Sequence, residues 1–119
     1  MKVYHASVTV HGEERLDVSD VTKLVRGAVQ ESGVRQGIAI ASALHATCAL
    51  FVNEFQFALA EDLKVLVGRL TAAGLALVGR SIALGVNDGD LVLGRFQSII
   101  FAELDGPRPR DIAVQVIGE

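Results

Sequence analysis

The chain has 119 residues, 50% hydrophobic and 21% charged, with a formal net charge of −3; this is ordinary globular composition and excludes a disordered or collagen-like chain. The length predicts a single domain over 1–119 with a core of its own, needing neither disulfide nor metal to fold. Eleven Lys+Arg against 14 Asp+Glu give none of the basic excess of a nucleic-acid binder, and apolar runs such as 38–44 fall far short of the ~18–20 residues that span a bilayer.

The single cysteine, Cys48, has no internal disulfide partner, which points to a reducing compartment. Met1-Lys2-Val3-Tyr4-His5 is followed by no apolar run of signal-peptide type, so the expected location is the cytoplasm.

Tyr4, Ala6, Val8 and Val10 alternate with polar residues, the period of a half-buried strand. The polar turn His11–Glu14 follows, and Leu16 and Val18 resume the alternation, which predicts an opening hairpin. Ser19 suits a helix N-cap, with Asp20 in the first turn. Val21, Leu24, Val25, Ala28 and Val29 then share one helical face, and Gly33 suits a C-terminal stop. Gly37–Ala43 reads as a small, apolar, buried strand. After His45 and Ala46, Thr47–Val52 returns to β, ending at Asn53-Glu54. A second helix is predicted from Ala58 to Ala73 with Leu59, Leu63, Leu66, Val67 and Leu70 on one face and Gly74 as its stop. From Leu75 onward the pattern is β. Ser81–Val86 and Asp90–Leu93 flank Asn87-Asp88-Gly89, a hairpin signal. Ser98–Leu104 is a strand, Asp105–Arg110 a turn, and the last strand, apolar on both faces, reads as central. Antiparallel strands with two inserted helices make an α+β fold, not βαβ.

No G-x-G-x-x-G, P-loop, C-x-x-C, H-E-x-x-H or G-x-S-x-G motif is present. What remains is a set of polar residues at strand ends. His45 interrupts two apolar segments; a neutral imidazole there serves as general base or metal ligand, or sits half-buried on backbone. Asn53 and Glu54 end the next strand, and Glu54 lies too far along it to touch His45 within one chain. Gln97 and Glu103 are polar in an apolar hairpin arm, with a solvated outer face as their plain structural role. Arg108 and Arg110 follow a Gly-Pro turn, where they bind an anion or lie in solvent. Cys48 reads as a small buried hydrophobe rather than a nucleophile.

These segments, taken in order, resemble the small YjbQ-type proteins (UPF0047), often labelled secondary thiamine-phosphate synthase. Leu16–Asp20 is similar to the entry of that family's first helix and Ser32–Gly37 to its exit. Leu44-His45-Ala46-Thr47-Cys48-Ala49-Leu50 resembles its His-Thr-Thr/Ser-Ala motif, and Val52-Asn53-Glu54 its Asn-Glu. Leu91–Ile99 is similar to its Leu-Gly-Thr-Trp-Gln-Gly-Ile segment, while Phe101–Arg108 and Val114–Glu119 match its C-terminus. The resemblance implies a sandwich-like α+β fold with two main helices, assembled as a homotrimer with its site at subunit interfaces. It gives His45, Glu103 and Gln97 a catalytic role, and Asn53, Glu54 and Arg108 a role in substrate binding. Of metal ligands, His45 is the sole motif candidate. The family's Trp stands here as Phe96, the Gly after its Gln as Ser98 and its first Thr after the His as Ala46; its long His-containing loop is replaced by Leu70–Ala76.

Two functions follow. One is a thiamine-phosphate synthase-like transferase, with Mg²⁺ or another divalent metal, or Arg108 or Arg110, stabilising the departing diphosphate, Glu54 or Glu103 holding the metal, and His45 moving a proton. The other is a non-catalytic homotrimer that binds a phosphorylated small molecule or persists as a structural protein with a trimmed site. A metal-dependent hydrolase is a weaker third. A mean hydropathy of +0.42 adds independent weight to self-association. The expected partners are a second copy and a phosphorylated small molecule, with no nucleic acid and no membrane.

Overall fold

The computed structural model describes residues 1–69 and 78–119. Its elements run β1 (Lys2–His11), β2 (Asp17–Asp20), α1 (Thr22–Ser32), β3 (Gln36–Ala43), β4 (Cys48–Asn53), α2 (Phe57–Gly68), β5 (Ser81–Asn87), β6 (Asp90–Leu91), β7 (Ser98–Glu103) and β8 (Pro109–Gly118). They form a five-stranded sheet in the order β1-β8-β3-β5-β6 and a three-stranded sheet in the order β2-β7-β4. Every strand pair is antiparallel, which is the α+β architecture expected.

Alternation along β7 joins the layers. Ile99 and Phe101 face the five-stranded sheet, where they pack with Val25 and Val29 of α1 and with Ile112, Val114 and Val116 of β8. Ile100 and Ala102 face the other way, toward Leu63 of α2, Val18 and Ala49. Each fully buried Val, Ile or Leu contributes roughly 1.5–3 kcal/mol, so both faces of β7 hold the fold together. β8 lies between β1 and β3, the central place its two apolar faces predicted. The Asn87–Gly89 hairpin also forms, with Asp88 and Gly89 both at positive φ (51° and 79°) as a two-residue turn of this hand requires.

Several expectations are corrected. The opening hairpin does not form: β1 pairs with β8 and β2 with β7, in different sheets. Ser19 is not the N-cap but part of β2; helix α1 starts at Thr22, whose N–H donates to Asp20 Oδ1 at 3.0 Å. Leu24 is exposed, while Val21, Val25, Ala28 and Val29 make the buried face. Gly33 does end the helix in the left-handed region. β3 is buried on one face alone, leaving Ile38 and Ile40 outside. Helix α2 spans Phe57–Gly68 with Leu66 exposed. The expected helical face at Leu70 and the stop at Gly74 lie outside the described residues, as does the start of the β segment expected from Leu75; residues 78–80 are not strand, and β5 begins at Ser81. Among the described residues no helix is long and apolar enough to cross a membrane.

Candidate functional site

One end of the three-stranded sheet carries a closed polar cluster. Glu103 is the last residue of β7, and the register sets it between Asp17 of β2 and Cys48 of β4. It shares the parity of Phe101, so its carboxylate enters the space between the two sheets. There it meets Arg110, which shares the inward parity of Ile112 and Val114 on β8. Arg110 Nε donates to Glu103 Oε2 at 2.5 Å and Nη2 donates to Oε1 at 3.1 Å, a bidentate pair. The Thr47 hydroxyl (3.1 Å) and the Asp105 N–H (2.7 Å) donate to Oε1, and the Cys48 thiol donates to Oε2 at 3.0 Å. Arg110 Nη2 also reaches Thr47 Oγ1 at 3.1 Å and the Asp105 carbonyl at 3.3 Å. Glu103 and Arg110 are 4% and 8% exposed. The expectation of a solvated outer face for Glu103 is therefore corrected.

Electrostatics follow from this packing. Burial pushes the Glu103 carboxyl up, but Arg110 and the other donors more than offset it, and the group sits below the ordinary carboxylate range. Burial first, and the neighbouring carboxylate second, push the Cys48 thiol up to about 12. A thiol held protonated is a donor and not a nucleophile, which agrees with its reading as a small buried side chain.

His45 lies in the 44–47 connection between β3 and β4, beside Arg110. Its Nε2 accepts the Asp111 N–H at 3.1 Å, and Arg110 Nη1 approaches Nδ1 at 3.5 Å. The loop is fixed by backbone: Leu44 N–H donates to Asp111 O (3.2 Å) and Leu104 N–H to Thr47 O (3.0 Å). The ring is thus oriented through Nε2, whose lone pair is in use; a neutral ring then carries its proton on Nδ1, so the neighbouring guanidinium is a close charge and not a hydrogen-bond donor to it. Arg108 is exposed at the mouth of a cleft of about 10 Å³, shared with Gly12, Asp17, Glu103 and Arg110. That is room for about one water molecule.

The other end of the sheet is different. Asn53 pairs in register with Ser98, so Asn53, Glu54 and Gln97 lie at the far end of β7 from Glu103. At ~3.3 Å per residue, Gln97 and Glu103 are about 20 Å apart. Gln97 Oε1 accepts the Gly94 N–H at 2.7 Å, and its own N–H donates to Gly94 O at 3.0 Å. Asn53 Oδ1 accepts the Glu54 N–H at 2.8 Å, and Glu54 Oε1 accepts from the Gln56 amide. The six expected site residues therefore fall into two groups within one chain: His45, Glu103 and Arg108 at one end, Asn53, Glu54 and Gln97 at the other.

Metal chemistry finds little to use. Among the described residues no three His, Cys, Asp or Glu side chains converge to hold an ion. Both Glu103 oxygens are already taken by donors, so that carboxylate does not fit a Mg²⁺ ligand. The residues whose role in this cluster the sequence reading missed are Arg110, considered there as an anion binder, and Thr47. A charged residue at the inward parity of an apolar strand was the available signal for Arg110, since Ile112, Val114 and Val116 follow it at period two.

Comparison with known proteins gives consistent matches. The family model described as "UPF0047 protein YjbQ-like" matches residues 6–76 and 73–119, two segments that overlap at 73–76. A UPF0047 protein of Methanothermobacter thermautotrophicus is 32% identical over all of this chain and 95% of its own length. The crystal structure of a protein of unknown function from Sulfolobus solfataricus P2 superposes with a TM-score of 0.92 at 29% identity, covering 99% of both chains. A hypothetical protein from Aeropyrum pernix K1 gives 0.91 at 32% identity, covering 98% of this chain and 99% of its own.

Proposed function

From the premise that this chain belongs to the YjbQ-like UPF0047 family, we propose that it is a non-catalytic homotrimer of the cytoplasm that binds a phosphorylated small molecule. One observation carries this reading. At the His45 end, the groups that acid–base or metal chemistry would use are spent on internal hydrogen bonds: both Glu103 oxygens and His45 Nε2. Arg108 is exposed beside them, and an exposed guanidinium suits phosphate. Asn53, Glu54 and Gln97 of a neighbouring copy complete such a site when the far end of one sheet meets the near end of the next.

The test pairs binding with turnover. Thermal unfolding is followed with inorganic pyrophosphate and thiamine phosphate as probes. Stabilisation is expected in the wild type and not in Arg108→Ala, with no thiamine phosphate formed from its two precursors and Mg²⁺. The second reading, a thiamine-phosphate synthase-like transferase, draws on the same juxtaposition of His45, Arg108 and Arg110. Turnover that falls ~100-fold or more in His45→Ala establishes it and overturns the binding reading.

A further inference from the structure

The open end of the three-stranded sheet holds an aromatic side chain that phosphate binding does not use. Between β6 and β7 the chain makes a turn over Gly94–Gln97 that is closed twice. Gln97 N–H donates to Gly94 O at 3.0 Å, and Gly94 N–H donates to Gln97 Oε1 at 2.7 Å. A Cβ at residue 94 would stand 3.1 Å from Gln97 Oε1, so glycine there lets the amide fold across the turn. Arg95 and Phe96 take the two central positions and are held at the tip. Phe96 is 65% exposed, whereas Phe51 and Phe55 are half-buried and Phe101 is buried. The Arg95 guanidinium lies over the ring, 5.4 Å from its centroid and within cation–π range. One face of the ring is thus backed by a cation, and the other is left to solvent.

The surroundings are polar. Register pairs Asn53 with Ser98, which brings Asn53 and Glu54 to the end of β7 that Gln97 and Phe96 lead into. Asn53, Gln56, Arg95 and Gln97 are exposed. Val92 is the exposed apolar residue nearest along the chain, and it leans on Gly85, its Cγ2 3.4 Å from the place a Cβ would take there. Leu93 packs against the core. The ring therefore has no apolar patch along its own segment, and a protein interface is normally centred on one. A fixed aromatic face near amides and a carboxylate suits a flat heterocycle instead. Such a ligand needs one ring's area to stack and polar groups at its edge.

We propose that Phe96 is a stacking platform for a planar heterocycle carried by the phosphorylated ligand, with Asn53 and Glu54 toward its polar edge. The inference rests on the phosphate-binding reading above and deepens it by naming the ligand class, a phosphorylated heterocycle. The doubly closed turn holds the platform in place before binding, which lowers the ordering cost.

The chain contains no Trp, so Phe96→Trp installs a single fluorophore at the platform. Its emission is titrated with AMP, thiamine phosphate and ribose 5-phosphate, the last a phosphate without a heterocycle. At least one of the first two is expected to quench it, and ribose 5-phosphate is not. Dissociation constants for the wild type and Phe96→Ala come from thermal unfolding with the same probes and with inorganic pyrophosphate. Phe96→Ala is expected to bind the heterocyclic phosphate ~10-fold more weakly and pyrophosphate unchanged. Circular dichroism checks that both variants fold, and light scattering checks their mass. Heterocyclic phosphates that bind no better than ribose 5-phosphate, or equally well to Phe96→Ala, overturn the platform and spare the phosphate reading. A changed mass in Phe96→Ala makes the ring a contact between copies and overturns the platform as well. A wild type that none of the phosphates stabilises overturns both.

Discussion

The two ends of the three-stranded sheet use similar residues to opposite effect. At one end Glu103, Arg110, Thr47 and Cys48 come from three segments of the chain and bond to one another across both sheets, with His45 beside Arg110. At the other end Asn53, Glu54 and Gln97 bond to neighbours within three residues in sequence. The first arrangement ties long-range structure together and leaves little free for a ligand. The second is held by local contacts and exposes its side chains. A carboxylate or an amide thus says little about function until its bonding partners are counted.

The largest test of that contrast removes Arg110. A buried ion pair broken on one side leaves an uncompensated charge, which typically costs ~3–5 kcal/mol. Arg110→Met is expected to lose stability in that range by urea unfolding. The double variant Arg110→Met/Glu103→Leu is expected to lose less than the single one, because no charge is stranded. Equal losses in single and double variants would show that the two side chains are not coupled as their geometry implies.

A second test follows the same carboxylate with pH. The folded pKa of Glu103 lies below its ordinary value of 4.5, so the stability it confers is complete above the unfolded pKa and is lost as pH falls through the folded one. Glu103→Gln is less stable than the wild type at pH 7, and the two stability curves draw together as pH falls below 4.5 and through the lower folded pKa, where the wild-type carboxyl gains its proton. Parallel curves down to pH 2 would place the acid sensitivity of the protein elsewhere.

Period and turn chemistry made much of this contrast legible in advance. Alternation located β1, β3 and β8, and Asp88-Gly89 marked its hairpin, because both signals are local. Pairing across long sequence separations was not legible. Leu16 and Val18 alternate just as a hairpin partner of β1 would, yet β2 pairs with β7, since a polar turn carries no record of which strand lies beside the next one. The His45 motif was legible through family resemblance, and the structure seats it beside Glu103 through Arg110. The placement of Gln97 apart from Glu103 followed from the length of one strand. It escaped notice because the resemblance groups the residues of a whole family site, which need not lie within one chain. Alternation puts Glu103 on the face of Phe101, opposite Ile100, Ala102 and Leu104, but it does not say that both faces of this strand are covered, so the face carrying the carboxylate reads as the solvated one.

The smallest effect is expected at the open end. Asn53 and Gln97 contribute short-range hydrogen bonds from exposed positions, and substitutions of that kind usually change stability by within ±0.5 kcal/mol. Asn53→Ala and Gln97→Ala are therefore expected to unfold within about 0.5 kcal/mol of the wild type in urea, below the Arg110→Met effect by a factor of several. The same two variants sharpen the contrast when the pyrophosphate probe is present. If these residues complete a neighbour's site, ligand stabilisation falls in them although their own stability does not. A loss of 2 kcal/mol or more without any ligand would mean that this end is held as tightly as the Glu103 end. The distinction between a structural end and a binding end would then fail.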